Sequence, residues 1–223
     1  MSTCLVTGAN RGIGLALCRQ LAARGDDVIA VCRQTSPELA ALVAEVIDGV
    51  DVGEPATVRA LPERLAGRRI DMLINNAGVG RWRSDDLLSD ETLEEVLLQF
   101  RVNSIGPVIV TQALLPLLTD DARVGIVTSR MGSIADNTSG GTYGYRMSKA
   151  AVNAAGKSLA LDLADRGIAV ALLHPGYVQT DMTSGRGDVD ADHAAAGLIA
   201  RLDALTPANS GSFWHANGDI LPW

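Results

Sequence analysis

Strand-like runs without polar alternation constrain this chain more than any other feature. VIAVC at 28–32, IVT at 126–128 and VALL at 170–173 are apolar or β-branched throughout. A strand with one wet face alternates, whereas a strand covered on both faces does not, and parallel sheets sandwiched between helices are built from the second kind. Runs of this texture at 3–7, 27–32, 45–50, 71–75, 123–128, 168–173 and 212–215 are separated by alanine- and leucine-rich stretches of helical spacing near 12–24, 37–43, 55–66, 90–118, 143–166 and 189–203. Strands and helices joined by right-handed crossovers give an α/β fold, a doubly wound parallel sheet in three α/β/α layers.

The 223 residues, 47% of them hydrophobic, suffice for one buried core. No internal repeat and no Gly-, Pro- or Ser-rich linker divides them, so 1–223 reads as a single domain. A formal charge of -7 argues against nonspecific binding to nucleic acid or an anionic membrane. No apolar run reaches the roughly 18–20 residues of a spanning helix, and the start MSTCLVTGAN lacks the basic region of a secretory signal. Cys4, Cys18 and Cys32 show no C-x-x-C spacing and read as small buried residues in a reducing compartment. The expectation is a cytoplasmic protein with no nucleic-acid or membrane partner and no metal site. The polar stretch 181–192 reads either as a mobile substrate-side loop or as an ordinary surface connection.

The segment TCLVTGANRGIGLALCRQLAARG at 3–25 is a strand, a glycine-rich turn and a helix. Gly8 lets the chain turn off the strand, and Gly12 and Gly14 let backbone approach a diphosphate and let the helix pack on the sheet. The helix N-terminus offers free N–H groups and a partial positive charge to phosphate. The second strand ends at Cys32 and Arg33, with no acidic residue from Val28 to Gln34. At that place a carboxylate suits the 2′-hydroxyl of NAD and a guanidinium suits the 2′-phosphate of NADP. Arg33 therefore points to NADP(H), with Arg11 a second phosphate ligand. The competing reading of Arg33 is a solvated surface charge.

In YRMSK, Tyr145 and Lys149 lie four apart, one helical turn on one face. Reduction of a carbonyl leaves an alkoxide that needs a proton. A phenol with its pKa near 10 is a reluctant donor at neutral pH, and a nearby ammonium is expected to lower that pKa. The spacing by itself is common and carries little weight.

Taken together these motifs resemble the short-chain dehydrogenase/reductase family. TGANRGIG at 7–14 matches its T-G-x-x-x-G-x-G turn, and Asn75, Asn76, Ala77 and Gly78 match its N-N-A-G. SRMG at 129–132 matches S-x-x-G, Tyr145 to Lys149 matches Y-x-x-x-K, and Pro175, Gly176, Val178 and Thr180 match P-G-x-V-x-T. The resemblance implies a Rossmann fold with Gly8, Asn10, Arg11, Gly12, Ile13 and Gly14 at the phosphates, Asp51 and Val52 at the adenine, and Asn75, Ala77 and Gly78 beside the ribose. It implies that Asn76 holds the sheet together and that Pro175, Gly176, Val178 and Thr180 hold the nicotinamide. Ser129 is implied to bind the substrate carbonyl, Tyr145 to transfer the proton, Lys149 to assist Tyr145 and hold the ribose, and Asn103 to join a proton relay through its backbone carbonyl. Tyr143, with Met147 four residues on, and Ser133 do not fit these positions.

SRMGSIADNTSGGTYGYRMSKAAVN and the ending NGDILPW look most like the branch of sniffer-type carbonyl reductases and C-factor signalling proteins. The implied activity is NADPH-dependent reduction of a small ketone, aldehyde or quinone, or oxidation of the matching alcohol. The alternative is a dinucleotide-binding signalling protein with incidental turnover. An extended-branch epimerase is disfavoured by length and glycine spacing. The chain is short after Thr180, where the substrate lid of the family lies, so an open pocket is expected. The resemblance is compatible with a homodimer or homotetramer. Trp214 and Trp223 read as core or interface anchors ahead of pocket wall.

Overall fold

The computed structural model describes residues 1–80 and 90–223. Seven parallel strands form one sheet: β1 (Thr3–Thr7), β2 (Asp27–Val31), β3 (Glu45–Ile47), β4 (Ile70–Asn75), β5 (Leu118–Val127), β6 (Ala169–His174) and β7 (Ser212–His215), in spatial order 3-2-1-4-5-6-7. The order reverses between β1 and β4, and β1 pairs in register with both β2 and β4. That reversal opens a crevice at the carboxyl ends of the strands, the place where doubly wound sheets bind ligands. The fold is the expected three-layer Rossmann arrangement.

Every residue of β6 is buried, which is why its sequence shows no alternation. One face of the sheet packs under α1 (Gly12–Ala23), α2 (Pro37–Leu42) and α8 (Ala191–Asp203), through a core that includes Leu17, Leu21, Leu39, Leu198 and Leu202. The other packs under α3 (Pro55–Arg59), α4 (Leu61–Arg64), α6 (Gly106–Leu114) and α7 (Tyr143–Asp162), around Val58, Leu61, Val110, Val152 and Phe213. Cys4, Cys18 and Cys32 are free and buried.

Three departures of the observed elements from the sequence reading have a clear physical cause. The helical stretch at 55–66 is two short helices, because Pro62 has no N–H to give the Val58 carbonyl. The long reading at 90–118 is α5 (Asp90–Phe100), a π-helical turn over Arg101–Ile105, and then α6. The fifth strand starts at Leu118 and not at 123: Ile70 pairs with Leu118 and Met72 with Arg123, so the intervening residues bulge, with Asp121 at φ +65°. The polar TDD within that bulge hides the strand from a hydrophobicity reading. No helix among the described residues is long and apolar enough to cross a membrane.

Candidate active site

A cavity of about 950 Å³ opens at the carboxyl ends of the strands, lined from the glycine-rich turn at one end to Ser129, Tyr145 and Lys149 at the other. At the first end, β1 runs into Gly8, whose φ is +65° and where a Cβ would meet the Ala77 Cα at 2.7 Å. A Cβ on Gly14 would meet the Gly8 carbonyl oxygen at 2.1 Å. The turn thus packs backbone against backbone, and only glycine fits. Thr7 Oγ1 accepts hydrogen bonds from the Asn76 and Ala77 N–H groups, both at 3.1 Å, while Asn76 Nδ2 donates to the Thr7 and Gly8 carbonyls at 3.0 and 3.2 Å. These bonds join β1 to β4 across the crevice. Arg11, the N-cap of α1, gives the helix no side-chain acceptor, and the first turn holds no acid. Its leading N–H groups are therefore available to an anion, and the cradle fits a dinucleotide diphosphate.

Arg33, Asp51 and Val52 line the same cavity beyond β2. Arg33 Nη1 lies 3.8 Å from Asp51 Oδ2, and Asp51 Oδ1 accepts from the Gly53 N–H at 2.8 Å. Arg11 Nη1 lies 2.8 Å from Asp181 Oδ2.

At the other end, α7 carries Tyr145 and Lys149, both buried. The Lys149 Nζ lies 5.7 Å from the centre of the Tyr145 ring and donates to the Val127 carbonyl at 3.0 Å. Ser129, at the end of β5, hydrogen-bonds Tyr145. Its Oγ also accepts from the Met131 N–H at 3.1 Å, which caps a short 3₁₀ turn. Gly132 ends that turn against α7: a Cβ there would meet the Lys149 carbonyl carbon at 2.7 Å. The spacing S-x-x-G is thus a packing requirement that lets the Ser129 segment touch the backbone of the Lys149 helix.

Burial pushes the Tyr145 phenol up to about 12, and the Ser129 hydrogen bond only partly offsets this. Burial pulls Lys149 down to about 8. The expected lowering of the Tyr145 pKa by Lys149 is not found, because both groups are desolvated and the ammonium is itself disfavoured. Tyr145 is a protonated phenol across the neutral range, the state a proton donor needs.

Asn103 stands behind the cavity at 1% exposure. Its side chain pairs with both backbone groups of Val79, accepting at 2.8 Å and donating at 2.9 Å, and donates to Ser148 Oγ at 3.1 Å. It lies within the π-helical turn, and Pro107, four residues on, has no N–H for its carbonyl. An α-helical bond from that carbonyl is chemically ruled out, and the Gly-Pro at 106–107 was the sequence signal for it.

Asn10, Gly12, Ile13, Ala77, Gly78, Pro175, Gly176, Val178 and Thr180 line the cavity. Asn75 does not. Its side chain, at 2% exposure, points under α6 and donates to Thr111 Oγ1 at 3.1 Å. Asn75 is the last residue of β4, where the pleat turns it away, and Asn76 both ties the strands and lines the cavity. Ser133 donates to the Trp223 carbonyl at 3.2 Å and Tyr143 is exposed, leaving Ser129 and Tyr145 as the inward pair. Trp214 is buried in the core and Trp223 stacks on Phe213 at 5.5 Å; neither lines the cavity.

The sequence reading missed His174 and His215, which line the cavity and meet edge to face at 4.8 Å. Burial pushes His174 down to about 3, so it is neutral. Its place at the carboxyl end of β6, just before Pro175, was the available signal. Asp181, Arg130 and Arg186 were likewise missed. The segment after Thr180 is a short turn, Asp181–Thr183, inside a loop closed by the Val178–Val189 bridge. Among the described residues no group of three His, Cys, Asp or Glu could hold a metal ion.

The model of the short chain dehydrogenase family matches residues 2–190. The chain belongs to that family. Among curated proteins, it is 45% identical, over the full length of both chains, to the 1-hydroxy-2-glutathionyl-2-methyl-3-butene dehydrogenase of Rhodococcus sp. (strain AD45). It is 44% identical to the C-signal of Myxococcus xanthus over 74% of this chain and 100% of that one. Among solved structures, an NADPH-bound carbonyl reductase from chicken fatty liver superposes with TM-score 0.88 at 30% identity, covering 100% of this chain and 99% of that one. The carbonyl reductase Sniffer of D. melanogaster gives TM-score 0.88 at 27% identity, covering both chains fully. This short-chain dehydrogenase therefore resembles the sniffer and C-factor branch, as its central and final segments implied.

Proposed function

We propose that the chain is an NADP(H)-dependent carbonyl reductase, working in reverse as an alcohol dehydrogenase on the matching alcohol. The observation that carries this is the convergence of Ser129, Tyr145 and Lys149 at one end of a cavity whose other end is the glycine-rich phosphate cradle. Arg33 and Arg11 at the cradle favour the 2′-phosphate, and the NADPH-bound chicken carbonyl reductase supports the same choice. When bound, the nicotinamide supplies the hydride. Ser129 holds the carbonyl oxygen, and Tyr145 gives that oxygen its proton. Lys149 would hold the ribose and, beside the Tyr145 ring, return the proton that Tyr145 gives up. Asn103, whose carbonyl can take no α-helical bond from Pro107, would offer that oxygen to a proton relay reaching Lys149. The wall from Thr180 to Val189 is short, which suits an open pocket and small ketones, aldehydes or quinones.

Tyr145→Phe should lower carbonyl-dependent NADPH oxidation by more than about 10²-fold, within the range that general acid catalysis supplies, while binding NADPH as the parent does. Loss of NADPH binding, or retained turnover, would contradict the assignment. The likeness to the C-signal favours a second reading, a dinucleotide-binding signalling protein with incidental turnover. A biological role that survives in Tyr145→Phe would support it. The Rhodococcus relative adds alcohols bearing a glutathionyl thioether to the substrate panel.

A further inference from the structure

We infer that Asp181 tunes discrimination between NADP(H) and NAD(H), by competing with the cofactor phosphate for Arg11. The inference rests on the NADP(H) reading of the site.

Arg11 projects from the glycine-rich turn and lines the cavity, and its guanidinium is already engaged: Nη1 lies 2.8 Å from Asp181 Oδ2. Asp181 cannot follow wherever Arg11 goes. It is the first residue of a turn locked by reciprocal bonds between Thr180 and Thr183, with the Ser184 N–H on its own carbonyl at 3.1 Å and the Gly185 N–H on the Thr180 carbonyl at 2.9 Å. The same turn presses on the cradle directly, since a Cβ on Gly12 would touch Thr180 Cγ2 at 3.4 Å.

The strength of the pair decides what it does. Side-chain exposures of 65% and 76% leave Arg11 and Asp181 mostly in water, where an ion pair contributes little. A phosphate monoester carries close to two charges and takes a guanidinium fork bidentately, so it displaces a single carboxylate. The displacement is not free: a ligand that recruits Arg11 binds more weakly by whatever the Asp181 contact was worth. A dinucleotide without the 2′-phosphate leaves the pair intact and meets no such cost. Arg33, whose nearest carboxylate contact is 3.8 Å away at Asp51, is held more loosely, so the cost falls on Arg11. Asp181 is thus a positioning residue, acting through Arg11.

The test is equilibrium binding of NADPH, NADH, 2′,5′-ADP and 5′-AMP to the parent, Asp181→Asn, Arg11→Gln and the double variant, at low and high salt. Asp181→Asn should bind NADPH and 2′,5′-ADP about 2–5-fold tighter, the range of an exposed pair. Its affinity for NADH and 5′-AMP should match the parent. The gain should vanish in the Arg11→Gln background and shrink at high salt. Equal changes for phosphorylated and unphosphorylated ligands, weaker NADPH binding, or a gain that persists without Arg11 would overturn the inference. A parent that prefers NADH over NADPH would instead overturn the NADP(H) reading, and this inference with it.

Discussion

Gly132 shows how one residue lets two elements form a site. It closes the turn that holds Ser129 and rests on the backbone of α7 at Lys149, where an added Cβ would come within 2.7 Å of the carbonyl carbon. Backbone cannot step aside as a side-chain end can. Gly132→Ala should therefore push the Ser129 turn off α7, lowering kcat at least about tenfold and stability by about 1–3 kcal/mol, the cost of overpacking. Steady-state kinetics and urea unfolding would check this; parental kcat would show that the turn and helix need not touch. Motif matching picked out Gly132 from the sequence as part of S-x-x-G, but its reason is a contact with a segment 17 positions away (149 − 132). Asn75 and Asn76 teach the opposite lesson. The adjacent amides are equivalent in sequence, and the pleat at the end of β4 decides that one faces Thr111 under α6 and the other the cavity.

Among the elements, the helix broken at Arg101–Ile105 is the most informative. A regular helix through 90–114 would bury Asn103 with an ordinary carbonyl bond; Pro107 forbids that bond, and the chain widens into a π turn. The Asn103 side chain then replaces a strand partner for Val79, satisfying its N–H and its carbonyl. Asn103→Ala leaves both of these, and Ser148, short of a partner, and should cost about 2–4 kcal/mol by the penalty for unmade buried bonds. Thermal or denaturant unfolding would measure it. A loss under about 0.5 kcal/mol would mean that Val79 finds other partners.

For the whole molecule, the buried Tyr145 and Lys149 give the folding equilibrium a pH signature. Lys149 is held near 8 in the fold, against 10.5 when unperturbed. Between those values the unfolded chain binds more protons than the folded one, so stability rises with pH through that window. Tyr145 is raised to about 12 from 10.0, so above about pH 10 the folded chain holds a proton the unfolded chain has lost, and stability falls again. Lys149→Met removes the first contribution. It should be more stable relative to the parent at pH 7.5 than at pH 10, the gap closing by on the order of 2 kcal/mol, since one pKa unit corresponds to about 1.4 kcal/mol. Urea unfolding of both proteins across that range would decide. A pH-independent gap would mean that Lys149 is not desolvated.

What the sequence determined by itself is the part set by local pattern and short spacing. Unalternating strands required a sheet covered on both faces, strand-helix repetition required it to be parallel, and the glycines at 8, 12 and 14 placed a phosphate cradle at the first turn. Tertiary structure decided what depends on residues distant in the chain. It turned Asn75 away and Asn76 inward, broke the helix at Asn103, brought His174 against His215, and set Asp181 on Arg11, 170 positions apart. It also reversed the expected direction of the Tyr145 shift, because desolvation depends on everything packed around a group and the spacing of Tyr145 to Lys149 reports only that the two share a helix face.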